Sequence, residues 1–364
     1  MPRVTAGTAT TVLGPRPPAE LGPVLPGEHV FGSFSPPWDH ARAWTVAKMR
    51  RPLTAAERTR YEAALSLPLL TTLTTGSPNR ADETLDDEAL AVDEVLDASA
   101  LGIRTIVDAT TADRGRSPAA LRRLALRTDV NVVMGAGWFH PAWAAGLDRR
   151  GVDDVADEIV RELELGVAGV RAGLIGELAP LDPRVPDEAL LLTAAGRAAR
   201  RSGAPVMIRL PADPEARSAV MAAFADEGVP PDRIAFSHSD ALAARPDELL
   251  SVLEAGCRVL FGRLGRIITA DSEADDQEVA AAIVRLAGQG HLERLLVSSG
   301  VARAHHLRTY GGSGYAAVPR QFLWILEHFG GGELLPALTT TNPQDWLTIA
   351  SAALPTSTVT EPRP

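Results

Sequence analysis

Eight short apolar runs alternate with segments of helical periodicity, and this alternation restricts the fold more than any other feature of the chain. The apolar runs are Val24–Ser33, Ile103–Thr110, Val130–Gly137, Val167–Glu177, Pro205–Leu210, Arg233–His238, Cys257–Gly262 and Arg294–Ser299. The helical segments include Asp82–Ala100, Ser117–Arg127, Val152–Leu165, Asp187–Ser202, Pro214–Glu227, Pro246–Ala255 and Asp275–Gln289. Strand and helix in regular alternation favour a parallel sheet, and eight repeats predict a (β/α)8 barrel.

The 364 residues divide into one barrel and its extensions. Residues 1–23, rich in Thr, Gly and Pro, are predicted to form an N-terminal arm or hairpin, and residues 24–354 the barrel. The Pro/Thr-rich tail 355–364 is predicted to be disordered. The long connection 34–81 after the first strand is the main insertion, and insertions on this face of a barrel usually shape the substrate pocket. It is expected to contain two short helices, Asp39–Arg51 and Thr54–Ser66.

Residues that commonly cap helices stand near the predicted helix ends. Asp187 and Asp213 are predicted N-caps, while Gly203, Gly228 and Gly256 follow the last residues of three helical segments. The capping residues therefore support the boundaries that the periodicity predicts.

Composition excludes several classes of function. The net charge is −10 and the acidic residues are scattered, so no nucleic-acid surface is predicted. No apolar run approaches the roughly 18 residues of a membrane span, and no basic start precedes an apolar core as in a signal peptide. The lone Cys257 excludes an internal disulfide and favours a reducing cytoplasm.

The fourth apolar run ends in a carboxylate. Residues 170–177 read Val-Arg-Ala-Gly-Leu-Ile-Gly-Glu, a buried strand pattern that delivers Glu177 to its C-terminal end. In a barrel this end faces the mouth, where active sites form. Glu177 is therefore the first candidate for a functional residue.

Several short motifs, taken in order, resemble one family. They are TVLGP at 11–15, ELG at 20–22, EH at 28–29, IVDATT at 106–111, VMGAGW at 133–138, AGLIGE at 172–177, FSHSD at 236–240, YGG at 310–312 and TNP at 341–343. Over roughly residues 10–350 the sequence resembles the phosphotriesterase family of the amidohydrolase superfamily. The resemblance implies a distorted (β/α)8 barrel with a two-metal hydrolytic site, and a homodimer.

In that family a His-x-His pair ends strand one, and a carboxylate on strand four bridges two metals that acidify a shared water. Single histidines end strands five and six, and an aspartate ends strand eight. Half of these positions differ in the present chain. By resemblance, the retained ligands are His29, Glu177 and His238, and the substituted positions are Gly27, Arg209 and Gly300.

The substitution by Arg209 argues against two metals. A guanidinium about 4 Å from a divalent cation is repelled by roughly 8 kcal/mol at an effective dielectric near 20. A structural zinc site with all its ligands is worth on the order of 10–16 kcal/mol. We therefore expect no metal and predict that Arg209 pairs with Glu177, because a buried carboxylate needs such a partner. The alternative is one catalytic zinc held by His29, Glu177 and His238.

Arg263, just past strand seven, resembles a family arginine near the pocket, with a structural salt bridge as the alternative. Together with Arg209 it would make the pocket cationic. Such a pocket favours a carboxylate, phosphate or enolate-like substrate.

Five further residues are candidates for contact with the substrate, each with an alternative. His140 lines the pocket or is a satisfied loop histidine, and Asp108 is expected to orient a neighbouring Arg or His. Ser298 and Ser299 bind substrate through their hydroxyls or only fill space. Trp38 caps the pocket or packs in the core of the insertion.

These features lead to three hypotheses of function. The first is a metal-independent enzyme of specialised metabolism that acts on a small anionic molecule. In it Glu177 and His238 act as acid/base groups and Arg209 as electrostatic stabiliser, for lyase, isomerase, cyclase or ester-type chemistry. The second is a mononuclear metal-dependent hydrolase of phosphoesters, lactones or amides. The third is a non-catalytic ligand-binding protein.

Overall fold

Eight parallel strands form one sheet in the computed structural model, which describes residues 7–266 and 274–350. The strands are β1 (Val24–Glu28), β2 (Thr105–Asp108), β3 (Asn131–Ala136), β4 (Leu174–Leu178), β5 (Val206–Arg209), β6 (Ile234–Ser237), β7 (Arg258–Phe261) and β8 (Leu295–Val297). Each strand pairs with its neighbours in the chain, and β8 lies against β1, so the sheet is nearly closed. The predicted (β/α)8 barrel is confirmed. The predicted disordered tail, 355–364, lies outside the described residues.

Helices follow the strands as the alternation predicts. They are α1 (Ala41–Val46), α2 (Ala55–Tyr61), α3 (Leu67–Leu73), α4 (Glu88–Ala100), α5 (Pro118–Thr128), α6 (Val152–Glu164), α7 (Pro186–Ser202), α8 (Pro214–Asp226), α9 (Leu250–Glu254), α10 (Asp276–Leu286), α11 (Leu323–His328) and α12 (Asn342–Leu347). The predicted segment Pro246–Ala255 begins as a 3₁₀ turn at Pro246–Leu249 before α9. Within the described ranges, no helix is both long and apolar enough to cross a membrane.

Two local predictions are wrong. Strand four begins at Leu174 rather than Val167, because Val167 pairs with Val170 across a tight turn in which Ala168 has a positive φ of 50°. Asp187 is not an N-cap, since Val185 holds that position and Asp187 lies in the first turn of α7. The Asp187 carboxylate instead accepts a hydrogen bond of 2.6 Å from Arg42 of the insertion.

The insertion after β1 folds around a small apolar cluster of its own. It contains three helices, α1–α3, one more than predicted, and its ends join through the pairing of Gly32–Ser33 with Thr84–Leu85. Trp44 and Tyr61 are buried in this cluster. Trp38 packs on both, with ring centroids 5.8 and 5.6 Å away, which is the core-packing alternative for this residue.

One layer of side chains fills the barrel and separates its two ends. Each strand contributes one buried residue to the layer. Ala9 of the N-terminal hairpin (Ala9–Thr11 paired with Gly14–Arg16) and Trp346 of α12 belong to the same apolar cluster. The eight residues are Val24, Val107, Val133, Leu174, Met207, Ala235, Leu260 and Leu296. Burying such aliphatic side chains stabilises the fold by roughly 1.5–3 kcal/mol each. Because this layer is apolar, the polar residues at the strand ends collect at the C-terminal mouth.

Candidate active site at the mouth of the barrel

Glu177 lies at the centre of the mouth, held by partners from two other strands. Its Oε2 accepts a 2.6 Å hydrogen bond from Arg209 Nε, and its Oε1 accepts a 2.6 Å hydrogen bond from Ser237 Oγ. The contact between Arg209 and Glu177 that the sequence predicts is therefore present. Gly176 allows the approach of β5, because a Cβ at this position would lie 2.3 Å from the carbonyl oxygen of Met207.

Two histidines face the same carboxylate from opposite sides. His29 Nε2 lies 3.8 Å from Oε2, and His238 Nε2 lies 3.6 Å from Oε1 of Glu177. The Nδ1 of His29 lies 3.0 Å from Thr110 Oγ1, which fixes the ring. The His29 side chain is 9% exposed and that of His238 is 31% exposed, so His238 is the imidazole that solvent or a substrate reaches.

The charges of this group follow from burial and from the nearby guanidinium. Burial alone would raise the pKa of Glu177, but Arg209, the two histidines and the Ser237 hydroxyl outweigh it and hold the pKa well below its usual range. Burial lowers the pKa of His29 to about 3. Partial burial, together with Arg209, also lowers the pKa of His238 well below its usual value. At neutral pH the carboxylate is therefore ionised and both imidazoles are neutral.

The donors at the mouth do not fit a two-metal centre. The carboxylate that would bridge the metals is bonded on both oxygens to hydrogen-bond donors, and one of them is a cation. The space between His29, Glu177, His238 and Gly300 measures about 10 Å³, room for about one water-sized occupant, whereas paired catalytic metals lie roughly 3.5–4 Å apart. As the side chains of the described ranges stand, no three His, Cys, Asp or Glu residues are arranged as metal ligands.

A second buried glutamate, Glu28, lies at the end of β1 and was not singled out from the sequence. Its Oε1 accepts hydrogen bonds from Ser298 Oγ at 2.6 Å and from the backbone N–H groups of Ser299 and Gly300 at 2.8 and 3.0 Å. Its Oε2 accepts the N–H of Val301 at 2.7 Å. Glu28 therefore fastens the loop after β8 to β1. We refer to this arrangement as the Glu28 clasp.

The backbone excludes a side chain at Gly300, the residue at which the family resemblance predicts the strand-eight aspartate. Gly300 has a φ of +66°, and a Cβ there would lie 1.6 Å from the carbonyl oxygen of Gly262. The guanidinium of Arg266 donates to the Gly300 carbonyl and would lie 3.2 Å from the same Cβ. Replacing the glycine by aspartate would therefore require the loop to move.

A second cavity, of about 120 Å³, differs in its lining residues from the space beside Glu177. Arg263, Ser299, Arg266 and His306 line it. The backbone N–H of Arg263 donates to Asp240 Oδ1 at 3.1 Å, and the Ser299 hydroxyl donates to the backbone carbonyl of Tyr315 at 3.1 Å. Both residues follow the carboxyl ends of strands, Arg263 after β7 and Ser299 after β8, but the hydroxyl of Ser299 already donates to Tyr315. A substrate contact remains a prediction for them.

Ser298 and His140 have structural partners. The Ser298 hydroxyl belongs to the Glu28 clasp and also accepts the N–H of Gly27 at 3.0 Å. His140 is buried, its Nδ1 accepts the N–H of Ala142 at 2.9 Å, and its Nε2 lies 3.2 Å from Glu188 Oε1. For both residues the structure favours the alternative without substrate contact.

Asp108 supports the site by a route that differs from the prediction. Its Oδ1 accepts the N–H of Thr110 at 2.8 Å, so it reaches His29 only through Thr110 and does not orient an Arg or His directly. Burial raises the pKa of Asp108 to about 6. That Asp108 orients His29, through Thr110, stays a prediction.

Sequence reasoning also missed Ser237 and Arg114. Ser237 is the last residue of β6, and a polar residue at the end of a predicted barrel strand is a signal that could have found it. Arg114 belongs to a 3₁₀ turn after β2, and its guanidinium lies 4.2 Å from the ring centroid of Phe139. Nothing in the sequence distinguishes this loop arginine from the others.

Polar groups gathered at the carboxyl ends of eight parallel strands define the active-site architecture of the (β/α)8 enzymes. A sequence model of the phosphotriesterase family matches residues 7–347, and the chain belongs to that family. The N-acetyltaurine hydrolase of Rattus norvegicus is 28% identical over 362 residues, covering 94% of this chain and 98% of that protein.

Solved structures show the same fold. A resiniferatoxin-binding protein from Rhodobacter sphaeroides has 33% sequence identity and a TM-score of 0.83, covering 94% of this chain and 96% of that one. The phosphotriesterase homology protein from Escherichia coli has 22% identity and a TM-score of 0.72, covering 90% and 99%. The E. coli protein supports the fold alone.

Proposed function

We propose that this chain is a small-molecule enzyme in which Arg209 supplies the positive charge that metals supply elsewhere in the family. The observation that carries the proposal is the 2.6 Å contact between Arg209 Nε and Glu177 Oε2 at the centre of the mouth. The substrate is a small, anionic organic molecule, and no cofactor is required. The reaction is of the ester, lyase, isomerase or cyclase type and passes through an oxyanion or enolate, because a fixed cation stabilises negative charge that develops on an oxygen.

The three residues have different roles in this proposal. Glu177, ionised and bonded on both oxygens, holds Arg209 in place and stabilises positive charge that develops on a neighbouring imidazole. His238, neutral and partly exposed, takes the proton from the substrate or from an attacking water. Arg209 uses only Nε on Glu177, which leaves its Nη groups to stabilise the developing oxyanion.

The similarity to N-acetyltaurine hydrolases favours attack on a carbonyl over the other reaction types. The proposal further includes a cytoplasmic homodimer of specialised metabolism. The lone, buried Cys257 supports a reducing compartment, and family resemblance supports the dimer.

A mononuclear hydrolase is the second candidate. It is favoured by the two imidazole Nε2 atoms that face Glu177 and by the one-water-sized space between them. A zinc ion on His29, Glu177 and His238 would require the Arg209 guanidinium to leave the carboxylate.

A non-catalytic ligand-binding protein is the third candidate, favoured by the 33% identity to a resiniferatoxin-binding protein.

The test combines metal analysis with turnover. The full chain is purified without chelators or a metal-bearing tag, its metal content is measured by mass spectrometry, and N-acetyltaurine, a γ-lactone and a nitrophenyl ester are assayed. Less than about 0.1 metal per chain, with turnover that survives a chelator and is lost in Glu177→Gln, is the expected result. The surface variant Glu158→Gln serves as the control that keeps its activity.

The other outcomes reject the proposal in distinguishable ways. About one zinc per chain, with turnover lost on chelation and restored by zinc, would establish the mononuclear hydrolase. Two metals per chain would show that the ligand positions were assigned wrongly. Turnover that is unchanged in Glu177→Gln would remove this residue, and with it the proposed chemistry.

A further inference from the structure

Arg114 carries a buried charge without an acceptor. The residue is 7% exposed, its Nε has no hydrogen-bond partner, and within the described part of the chain no carboxylate forms an ion pair with it. Its guanidinium instead faces three aromatic rings. The distances from Cζ to the centroids are 4.6 Å for Phe34, 4.2 Å for Phe139 and 5.7 Å for Trp143.

Other well-buried arginines of the described ranges show what such a residue normally has. Arg116 forms two hydrogen bonds of 2.7 and 2.8 Å with the carboxylate of Glu162. Arg217 and Arg258 each donate to backbone carbonyls and each form an ion pair with a carboxylate. The Nε atoms of Arg116 and Arg217 also lack a partner, but their other nitrogens donate to acceptors, whereas the Arg114 guanidinium has no hydrogen bond to any described residue. A buried cation without an acceptor is unfavourable unless a ligand supplies one.

A second donor in the same cluster also lacks an acceptor. Trp143 is 8% exposed, and its indole Nε1 is buried without a hydrogen-bond partner. The ring of Trp143 packs on Phe139, with centroids 5.2 Å apart, beside the Arg114 guanidinium. Two unpartnered N–H donors in one aromatic cluster make it a candidate site for an acceptor that the protein does not supply, since most buried polar groups are paired.

Arg209 connects this cluster with the catalytic carboxylate. Its Cζ lies 4.9 Å from the centroid of the Phe139 ring, which Arg114 also contacts, and its side chain is 20% exposed. Within the described residues, the Nη groups of Arg209 have no protein acceptor. Burial and the neighbouring Arg209 lower the pKa of Arg114 to about 9, against the opposing attraction of the Asp113 and Glu177 carboxylates.

We propose that an oxyanion group of the substrate, a carboxylate, sulfonate or phosphate, binds at Arg114 and Arg209 and accepts a further hydrogen bond from Trp143. Arginine suits this role because its planar fork of N–H groups matches two oxygens of such an anion. The inference rests on the proposed function and specifies the charged end of its substrate. That end would lie beside Phe139 and use one Nη group of Arg209, with the reacting bond towards Glu177 and His238 and the other Nη group left for the developing oxyanion.

The experiment measures binding directly, on the full chain, by calorimetry. The probes are phenylacetate, benzenesulfonate and phenyl phosphate, each compared with a neutral partner of similar shape: phenylacetamide, benzenesulfonamide and phenyl acetate. We expect at least one anion to bind ten-fold or more tightly than its neutral partner, and the preferred anion identifies the class of oxyanion. Arg114→Met should weaken that anion at least ten-fold without lowering the thermal unfolding midpoint.

A matched control separates this role from arginine–aromatic packing in general. Arg150 also lies over an indole, 5.3 Å from the centroid of Trp138, but its charge is paired with Glu158 at 2.7 Å. Arg150→Met should leave the affinity for the anion unchanged. Trp143→Phe keeps the ring, removes one donor and should weaken the anion about three-fold or more.

The inference is overturned if no anion binds better than its neutral partner, or if Arg114→Met binds the anion as the wild type does. Should Arg114→Met fail to fold, Arg114→Lys replaces it. An affinity for the anion that is unchanged in both Arg114→Lys and Trp143→Phe would then overturn the inference. Because binding is measured without turnover, the two proposals fail separately. His238→Asn, which removes the proposed base and leaves the contact between Arg209 and Glu177 in place, should still bind the anion even though it no longer turns over substrate.

Discussion

Two buried glutamates at the mouth of the barrel, Glu28 and Glu177, have opposite surroundings. Glu28 accepts three backbone N–H groups and one hydroxyl, all from the segment Ser298–Val301. The side-chain donors of Glu177 are Arg209 and Ser237, with two imidazoles beside it. Backbone donors cannot leave without unfolding a loop, whereas side-chain donors can rearrange around a ligand. The first carboxylate therefore stabilises the structure, and the second is available for chemistry.

The largest expected effect is on turnover in Glu177→Gln. The amide removes the charge that holds Arg209, and loss of a positioned acid/base group and its partner typically reduces rates by about 10²–10⁴. We expect kcat/KM to fall within this range while the variant still unfolds cooperatively. The double variant Glu177→Gln/Arg209→Met should be little worse than the single one, since the two residues act as a unit. Fully additive losses would contradict a coupled pair.

Glu28→Ala should act on stability instead. It leaves three backbone N–H groups and the Ser298 hydroxyl without their acceptor, and each buried unsatisfied group costs about 1–3 kcal/mol. Allowing for water that enters the space, we expect a loss of about 3–5 kcal/mol in the free energy of unfolding, measured by denaturant titration. A loss below about 1 kcal/mol would show that the clasp is dispensable.

The two carboxylates should also give opposite pH dependence of stability. Burial raises the pKa of Glu28 from 4.5 to about 7, so its favourable protonated form is lost as the pH rises through 7. Relative to Glu28→Gln, the wild type should lose roughly 3 kcal/mol between pH 4.5 and pH 8. The pKa of Glu177 is depressed, so its contribution is present above about pH 4.5 and lost in acid. Parallel pH profiles for wild type and Glu28→Gln would contradict the raised pKa.

The smallest effects come from a matched pair of serines. Ser237 and Ser298 each donate to a glutamate oxygen at 2.6 Å. Ser298→Ala should cost about 1–2 kcal/mol of stability, because the N–H of Gly27 also loses its acceptor, and should leave turnover nearly unchanged. Ser237→Ala should reduce turnover several-fold with less than about 1 kcal/mol lost in stability. If Ser298→Ala lost turnover and Ser237→Ala lost stability instead, the distinction between the two glutamates would be wrong.

The fold was predictable because its signals are local. Apolar runs and helical periodicity repeat eight times, and each repeat can be recognised without knowledge of its neighbours. The errors occurred where backbone geometry overrides the pattern. The apolar run Val167–Glu177 contains a tight turn at Val167–Val170 because Ala168 and the glycines beside it adopt positive φ. Such a turn leaves the hydrophobic pattern of the run unchanged.

The site was partly predictable for a different reason. Parallel strands end at one rim, so a residue at a strand end is assigned to the mouth by topology alone, and this placed Glu177, Arg209 and His238 together. Residues such as Ser298 and His140 were harder, because their partners, Glu28 and Glu188, lie far away in sequence. A single sequence does not tell whether a polar group already has a partner.

The sequence by itself determined the barrel and the charged residues that its strand ends carry to the mouth. The exchange of a family metal ligand for Arg209 stays a prediction from the family resemblance. Only the tertiary structure decided which buried charges are satisfied. Glu28 is held by a backbone loop and Glu177 by side chains, whereas the Arg114 guanidinium lies against aromatic rings. The physical reason is that strand position follows from local pattern, whereas hydrogen-bond satisfaction depends on distances between atoms brought together by folding.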